Sequence, residues 1–197
     1  PRLCVQGYEK AGAWARLRRG PGVSAPVRGG AAVRTAAGRA GESGAPPPRR
    51  TWAKFLRGPE PYSARPSTLT VRAGRPQDAA AIAKVVCAAY GMPAALEPWF
   101  AALVGRPGWT FVVAEADGRI AATGAVFIEG SAAWLGVGAT LADYRNRGAQ
   151  SALLAARIEI AAGAGCTVIA TETGESIAGE VNPSLNNIRR AGFVQVC

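Results

Sequence analysis

The segment YRNRGAQSALLAARI (residues 144–158) decides the fold. It places Arg145, Arg147 and Gly148 directly before a run of residues with helical apolar spacing. Backbone N–H groups at a helix N-terminus lack partners within the helix and carry the positive end of its dipole. Gly148 lets the backbone approach a ligand, and the two arginines offer charge-assisted hydrogen bonds. A strand that enters such a turn and helix predicts an anion-binding site.

The residues before this segment predict alternating helices and strands. A short strand at 69–72 precedes a helix opened by Pro76 and Asp78, and Pro93 opens a second helix. Three aromatic and β-branched stretches then predict a strand meander over residues 109–116, 119–128 and 132–141. The third strand contains Gly136 and Gly138, which weaken an ordinary strand and favour close approach of a ligand or another backbone.

The residues after the segment predict a shorter sequence of elements. Glycines at 163 and 165 end the helix, and the apolar run CTVIAT (166–171) indicates a buried strand. A last helix is expected from Pro183 to Arg190, and a further strand from Phe193.

Composition excludes several classes of chemistry. The 197 residues include no histidine, so neither a Ser-His-Asp nor a Cys-His nucleophile can be built, and the four scattered cysteines predict no metal site. They indicate thiols in a reducing compartment, and we expect a cytoplasmic protein. No apolar run is long enough to span a membrane.

The net charge of +10 comes entirely from the first third of the chain. Residues 1–67 contain 13 Lys+Arg and 3 Asp+Glu, whereas residues 68–197 contain 10 of each. Because the first third is also rich in Gly and Pro and poor in large apolar residues, we predict a disordered basic Ala/Gly/Pro/Arg-rich segment over 1–66 and a folded domain over 67–197. Nucleic acid is therefore an improbable partner for the folded domain.

The chain resembles the GNAT family of acyl-CoA-dependent N-acyltransferases. Its element order matches, and Arg145-Asn146-Arg147-Gly148-Ala149-Gln150 is similar to the family loop Arg/Gln-x-x-Gly-x-Gly/Ala, with Gln150 in place of the small residue. Residues 182–193 look like the final helix of the family, ending in Ala-Gly-Phe. Over 68–197 the resemblance implies an α/β fold, an α+β sandwich with a mixed, mostly antiparallel sheet flanked by helices.

The resemblance also implies a reaction and a set of contacts. The domain would move an acetyl group from acetyl-CoA, as co-substrate and without a metal, to a primary amine on a small molecule or peptide, by direct attack in a ternary complex. Cofactor contacts are expected from the third meander strand, the loop and helix after it, and the last helix: Val137, Ala139, Leu141, Arg145, Arg147, Gly148, Ala149, Gln150, Ser151 and Asn187. A backbone N–H near Val137 would polarise the thioester carbonyl.

Proton transfer is where the chain departs from many family members. The usual tyrosine, four residues before the glycine of the last helix, is Ile188 here. Glu172, expected just after the 166–171 strand, is our candidate catalytic residue, with Glu175 nearby and a solvated loop carboxylate as the alternative. Tyr144 is more typical of a packing residue beside the loop.

Two further matters stay open from the sequence. The resemblance implies one more strand, which would pair with the strand at Phe193, so we expect the C-terminal strand to be truncated. Either the chain is a fragment, or a partner such as a second copy in a homodimer completes the sheet. The alternative to an enzyme is a non-catalytic acyl-CoA-binding module whose basic tail makes nonspecific nucleic-acid contacts.

Overall fold

The computed structural model describes residues 52–175 and 181–196. These residues form one seven-stranded, mostly antiparallel sheet in the order β2-β3-β4-β5-β6-β1-β7. The strands are β1 (Trp52–Arg57), β2 (Thr70–Ala73), β3 (Trp109–Ala116), β4 (Arg119–Glu129), β5 (Ala132–Thr140), β6 (Val168–Gly174) and β7 (Val194–Gln195). The α-helices are α1 (Ala79–Tyr90), α2 (Glu97–Ala101), α3 (Ala149–Gly163) and α4 (Pro183–Arg190).

The meander forms where the sequence predicts it. Strands β3, β4 and β5 pair in antiparallel fashion. The turn between β3 and β4 places Asp117 at φ +51° and Gly118 at φ +72°, which is the conformation that a tight two-residue hairpin turn requires. The second predicted helix is shorter than its apolar spacing suggests, since a 3-10 turn over Ala94–Leu96 precedes α2.

Helices cover the two faces of the sheet. On one face, α1 packs on β4 and β5 through residues such as Ile82 and Val86, which are fully buried with Phe111. On the other face, Leu153 and Ile158 of α3 pack on the sheet. Among the described residues, no helix is long and apolar enough to cross a membrane.

The domain boundary predicted at residue 67 is wrong, because β1 lies inside the sheet. Trp52–Arg57 pairs with β6 along its whole length. Ala53 and Phe55 are 1% and 0% exposed and belong to the same core as Ile169. A six-residue strand in which only Ala53 and Phe55 are buried was hidden by the basic, Pro-rich composition around it. Whether residues 1–51 are disordered lies outside the described residues.

The same strand completes the sheet edge that the sequence leaves open. β7 pairs with Phe55 and Leu56 of β1, and the N–H of Val196 donates to the carbonyl of Lys54 at 2.8 Å. The sequence predicted that β7 would lack a neighbouring strand. In the structure β1, which lies earlier in the same chain, pairs with it.

One strand boundary shifts in a way that affects the site. The buried strand predicted at 166–171 is observed at Val168–Gly174. Cys166 still lies in the core, but pairing with β1 extends the strand at its carboxyl end. Glu172 is therefore a strand residue and not part of the following loop.

Candidate functional site

A cleft opens where two neighbouring parallel strands separate. β5 and β6 pair from Ala132 and Val168 as far as Leu135 and Thr171. The Thr171 hydroxyl donates to the Leu135 carbonyl at 2.8 Å and forms a last link between them. Beyond this point β5 continues to Thr140 and β6 to Gly174 without pairing to each other. The inner edge of β5 is thus free to bind an extended ligand.

A β-bulge marks the start of the free edge. Ala125 of β4 pairs with Gly136 and Thr123 with Ala139, so Val137 and Gly138 together lie opposite Gly124. Val137 has φ +52°, a conformation that is rare for a β-branched residue and that concentrates at functional sites.

The bulge corrects the expected contacts to a pantetheine arm. The Leu141 N–H donates to the Ala121 carbonyl at 3.0 Å, and the Ala139 carbonyl accepts from the Gln150 side chain at 3.0 Å. Both groups are used within the fold. Because backbone groups alternate along a strand, the extra bulge residue turns the backbone of Thr140 toward the cleft in place of Leu141.

The predicted anion loop has the expected local conformation. Gly148 adopts φ +79° and directly precedes α3, and Asn146 adopts φ +61°. Arg145 and Arg147 are exposed, and the Arg147 guanidinium carbon lies 5.1 Å from the centre of the Tyr144 ring. The loop therefore offers two solvent-facing cations beside a helix N-terminus.

A crossing segment (residues 58–67), which connects β1 to β2, covers part of that helix N-terminus. The Ser151 hydroxyl lies 2.9 Å from the Tyr62 hydroxyl and accepts the Arg65 N–H at 2.9 Å. A Cβ atom on Gly148 would lie 2.1 Å from the Pro66 carbonyl oxygen. The expectation that the backbone amides of Gly148 and Ser151 bind a pyrophosphate stays a prediction, and in this structure the crossing segment lies against both residues.

The remaining predicted cofactor residues differ in their surroundings. Ala149 is 3% exposed. The Gln150 side chain points to β5, where it donates to Thr140 Oγ1 at 2.8 Å, so its bulk does not fill the loop. Asn187 accepts from Arg190 on α4 at 3.1 Å and is half-buried.

Glu172 lies on β6, one residue beyond Thr171, where the pairing with β5 ends. It pairs with Lys54 of β1 and is half-buried. Trp134 pairs with Ala170, two residues earlier on β6, so Glu172 and Trp134 point to the same side of the sheet. Ile188 is 4% exposed within the core, so α4 offers no hydroxyl at the family's usual tyrosine position.

Tyr90 is a cleft residue that the sequence alone did not single out. Its hydroxyl donates to the Gly138 carbonyl at 3.0 Å. Burial raises the pKa of this hydroxyl, while the Arg157 guanidinium acts in the opposite direction, so the phenol is held protonated beside the bulge. Its position at the end of an apolar helix stripe made it indistinguishable from a core residue.

Arg157 was also missed, although the sequence carries a signal for it. It lies on the inward face of α3, in helical register with the buried Leu153, Leu154 and Ala161. A charged residue at such a position is unusual. Arg157 is 3% exposed, and burial lowers its pKa to about 10.

The described cysteines and acids support neither a thiol nucleophile nor a metal centre. Burial raises the pKa of both the Cys87 and the Cys166 thiols, which keeps them in the unreactive protonated form. Within residues 52–175 and 181–196, no group of three His, Cys, Asp or Glu residues could hold a metal ion.

Comparison with solved structures identifies the fold. The chain is similar to a GCN5-related N-acetyltransferase from Sphaerobacter thermophilus (19% identity, TM-score 0.63, 75% of this chain and 49% of that one). It is also similar to a GNAT-family acetyltransferase from Colwellia psychrerythraea (16%, 0.58, 75% and 53%) and to a putative one from Novosphingobium aromaticivorans (20%, 0.55, 79% and 66%). The chain thus spans about half the length of the first two.

Sequence comparison assigns the family. No curated protein sequence matches the chain. The family model of the GNAT acetyltransferases matches residues 81–179, which are 99 of the 197 residues and include the meander, the loop and α3. This stretch contains the bulge and the separating strands described above, and the chain therefore belongs to the GNAT acetyltransferase family.

Proposed function

We propose that this protein transfers an acetyl group from acetyl-CoA to a primary amine on a small molecule or peptide. The observation that carries the proposal is the separation of β5 and β6 beyond Leu135 and Thr171, which leaves β5 without a strand partner on that side. An extended amide-containing arm is the kind of ligand that such an edge binds. The free side of β5 is therefore suited to bind the extended, amide-containing arm of acetyl-CoA.

Bound acetyl-CoA would supply an activated acyl group: the amine nitrogen forms a bond to the thioester carbon, the C–S bond breaks, and its electron pair leaves on sulfur. The backbone N–H groups around the bulge at Val137 are the candidate donors to the carbonyl oxygen. Glu172 accepts a proton from the attacking amine. Tyr90 is the candidate acid that donates a proton to the departing sulfur, because its hydroxyl lies beside Gly138 of β5. Ile188, at the family's usual tyrosine position on α4, has no hydroxyl.

The residues at the anion loop are only partly open to the pyrophosphate of acetyl-CoA. Arg145 and Arg147 are exposed, but the crossing segment covers Gly148 and holds the Ser151 hydroxyl. We therefore expect the crossing segment to be displaced from these two residues when a pyrophosphate binds. The alternative function is a non-catalytic acyl-CoA-binding GNAT-like module, in which the same partly covered site would bind the donor without transferring its acyl group.

A melting experiment on the full chain separates these possibilities. A ligand at about 100 times its dissociation constant stabilises the folded state by roughly 2.7 kcal/mol. The proposal predicts a rise in melting temperature with acetyl-CoA and release of free thiol when a panel of primary amines is added. Stabilisation without thiol release would support the non-catalytic alternative, and the absence of any shift at millimolar acetyl-CoA would exclude both.

We also propose that the protein is cytoplasmic, that its folded domain does not bind nucleic acid and that it forms a homodimer. Size-exclusion chromatography with light scattering tests the last. The acceptor is proposed only as a primary amine.

A further inference from the structure

The protein buries a guanidinium that the proposed mechanism does not use. Arg157 is 3% exposed in the middle of α3. Among the described residues, none of its contacts is a carboxylate. The acceptors that the described residues supply to this guanidinium are backbone carbonyls, which is unusual for a buried cation.

The surroundings of this guanidinium are shaped to hold it. Its Nε donates to the Leu153 carbonyl at 2.9 Å, and its Nη1 donates to the Gly136 carbonyl at 3.1 Å and the Ala125 carbonyl at 3.4 Å. A Cβ atom on Gly124 would lie 2.6 Å from the guanidinium carbon. The glycine in β4 thus leaves the space that the planar group fills.

Stability alone does not explain this arrangement. Removing a charge from water is costly, and replacing a buried ionic group with an apolar side chain of similar volume is often neutral or stabilising. α3 packs its neighbouring positions with apolar residues such as Leu154 and Ile158. An apolar side chain at 157 would avoid the cost of burying a charge, so the positive charge suggests a further role.

The position of the charge indicates what that role is. Gly136 immediately precedes Val137 in the bulge, at the point where β5 and β6 separate. From the opposite face, α1 brings the Tyr90 hydroxyl to the Gly138 carbonyl. Tyr90 is the titratable group that acts on Arg157. The cation therefore lies behind the segment of β5 to which the proposed function assigns the thioester.

We propose that Arg157 is a positioning residue that holds a fixed positive charge behind the bulge and stabilises the negative charge left on the sulfur of CoA. This inference rests on the proposed function. When the C–N bond forms and the C–S bond breaks, the electron pair of the broken bond stays on sulfur as a thiolate. Arg157 keeps its protons throughout and acts through its charge and through its hydrogen bond to Gly136.

The test compares CoA with desulfo-CoA, which lacks the thiol, by titration calorimetry on the full chain at about pH 8.5, near the ordinary pKa of a thiol. We expect the wild-type protein to bind CoA about fivefold more tightly than desulfo-CoA, which at a pH equal to the free thiol pKa would correspond to a thiol pKa lowered by about one unit. In Arg157→Met this preference should fall to within about twofold, while the affinity for desulfo-CoA is unchanged. Arg106→Met removes an exposed arginine and should keep the full preference.

Further outcomes keep the inference falsifiable. Arg157→Lys retains a charge and should retain part of the preference, and this variant replaces Arg157→Met if the latter does not fold. Gly124→Ala displaces the guanidinium without changing charge and should reduce the preference. An unchanged preference in Arg157→Met, or no preference in a wild-type protein that binds both ligands, overturns the inference alone. Binding of neither ligand by the wild type overturns the proposed function as well.

Discussion

The hydroxyl oxygens of Tyr62 and Ser151 lie 2.9 Å apart and join the crossing segment to the first turn of α3. Ser151 is one of the residues whose backbone amide is expected to bind a pyrophosphate. The crossing segment thus lies on the candidate donor site, and we expect the strength of this contact to affect how readily a ligand binds there.

Loosening this contact should favour ligand binding. Tyr62→Phe removes the hydrogen bond, which we expect to lower the free energy of unfolding by about 1 kcal/mol and to strengthen acetyl-CoA binding by a few fold. Urea unfolding and calorimetry measure the two effects. Ser63→Ala, on the same segment but exposed, is the control. Weaker acetyl-CoA binding by Tyr62→Phe would show that the segment supports the site and does not compete for it.

Phe55 should be essential for folding, because β1 belongs to the sheet. The side chain is 0% exposed, and truncation of a buried phenylalanine to alanine costs about 3–5 kcal/mol. Trp52→Ala, on the same strand but 65% exposed, should cost well under half as much. Thermal unfolding of the two variants makes the comparison. Equal melting temperatures for Phe55→Ala and the wild type would show that β1 is not part of the folded sheet.

Gly148 should tolerate a side chain less well than another left-handed glycine. Gly148→Ala introduces strain of about 1–2 kcal/mol at φ +79° together with a collision with Pro66. Gly118→Ala introduces similar strain at φ +72° but meets no neighbouring atom within 4 Å. We expect a larger loss of unfolding free energy for Gly148→Ala. Equal losses of unfolding free energy in the two variants would mean that the crossing segment moves away from residue 148 without destabilising the fold.

Glu172→Gln should reduce the rate of acetyl transfer with little effect on acetyl-CoA binding. Removal of a general base typically lowers the rate by about 10²–10⁴-fold. Glu129→Gln alters an exposed carboxylate at the opposite end of the meander and should be silent. The initial rate of thiol release at saturating amine is the measurement. Full activity of Glu172→Gln would assign the proton transfer to another group.

The Asp78 carboxylate should make the fold sensitive to acid. Its hydrogen bond with Arg72, at 2.6 Å, lowers the pKa of Asp78, and the Arg75 backbone N–H adds to this. A lowered pKa in the folded state means that the stabilisation is present above the unfolded pKa of about 3.9 and is lost as pH falls through the folded value. In Asp78→Asn the free energy of unfolding should therefore fall less steeply as the pH is lowered below about 4. The same slope in both proteins would contradict this.

The sequence by itself determined most of the order of the elements. Period-two and period-3.6 apolar patterns placed β3, β4, β5 and α3, because each of these elements buries one regular face. The turn at Asp117-Gly118 and the left-handed Gly148 were readable because their conformations restrict the residue type. The loop and element order were enough to indicate the GNAT family.

Only the tertiary structure decided how distant segments combine. β1 has too little apolar surface to be recognised alone and becomes a strand only because β6 and β7 present unpaired edges on both of its sides. The bulge at Val137 reversed which β5 amides face the cleft, since one extra residue inverts the alternation of a strand. The crossing segment over Gly148 and the guanidinium of Arg157 beneath Gly136 depend on contacts between residues far apart in the chain, which local pattern does not encode.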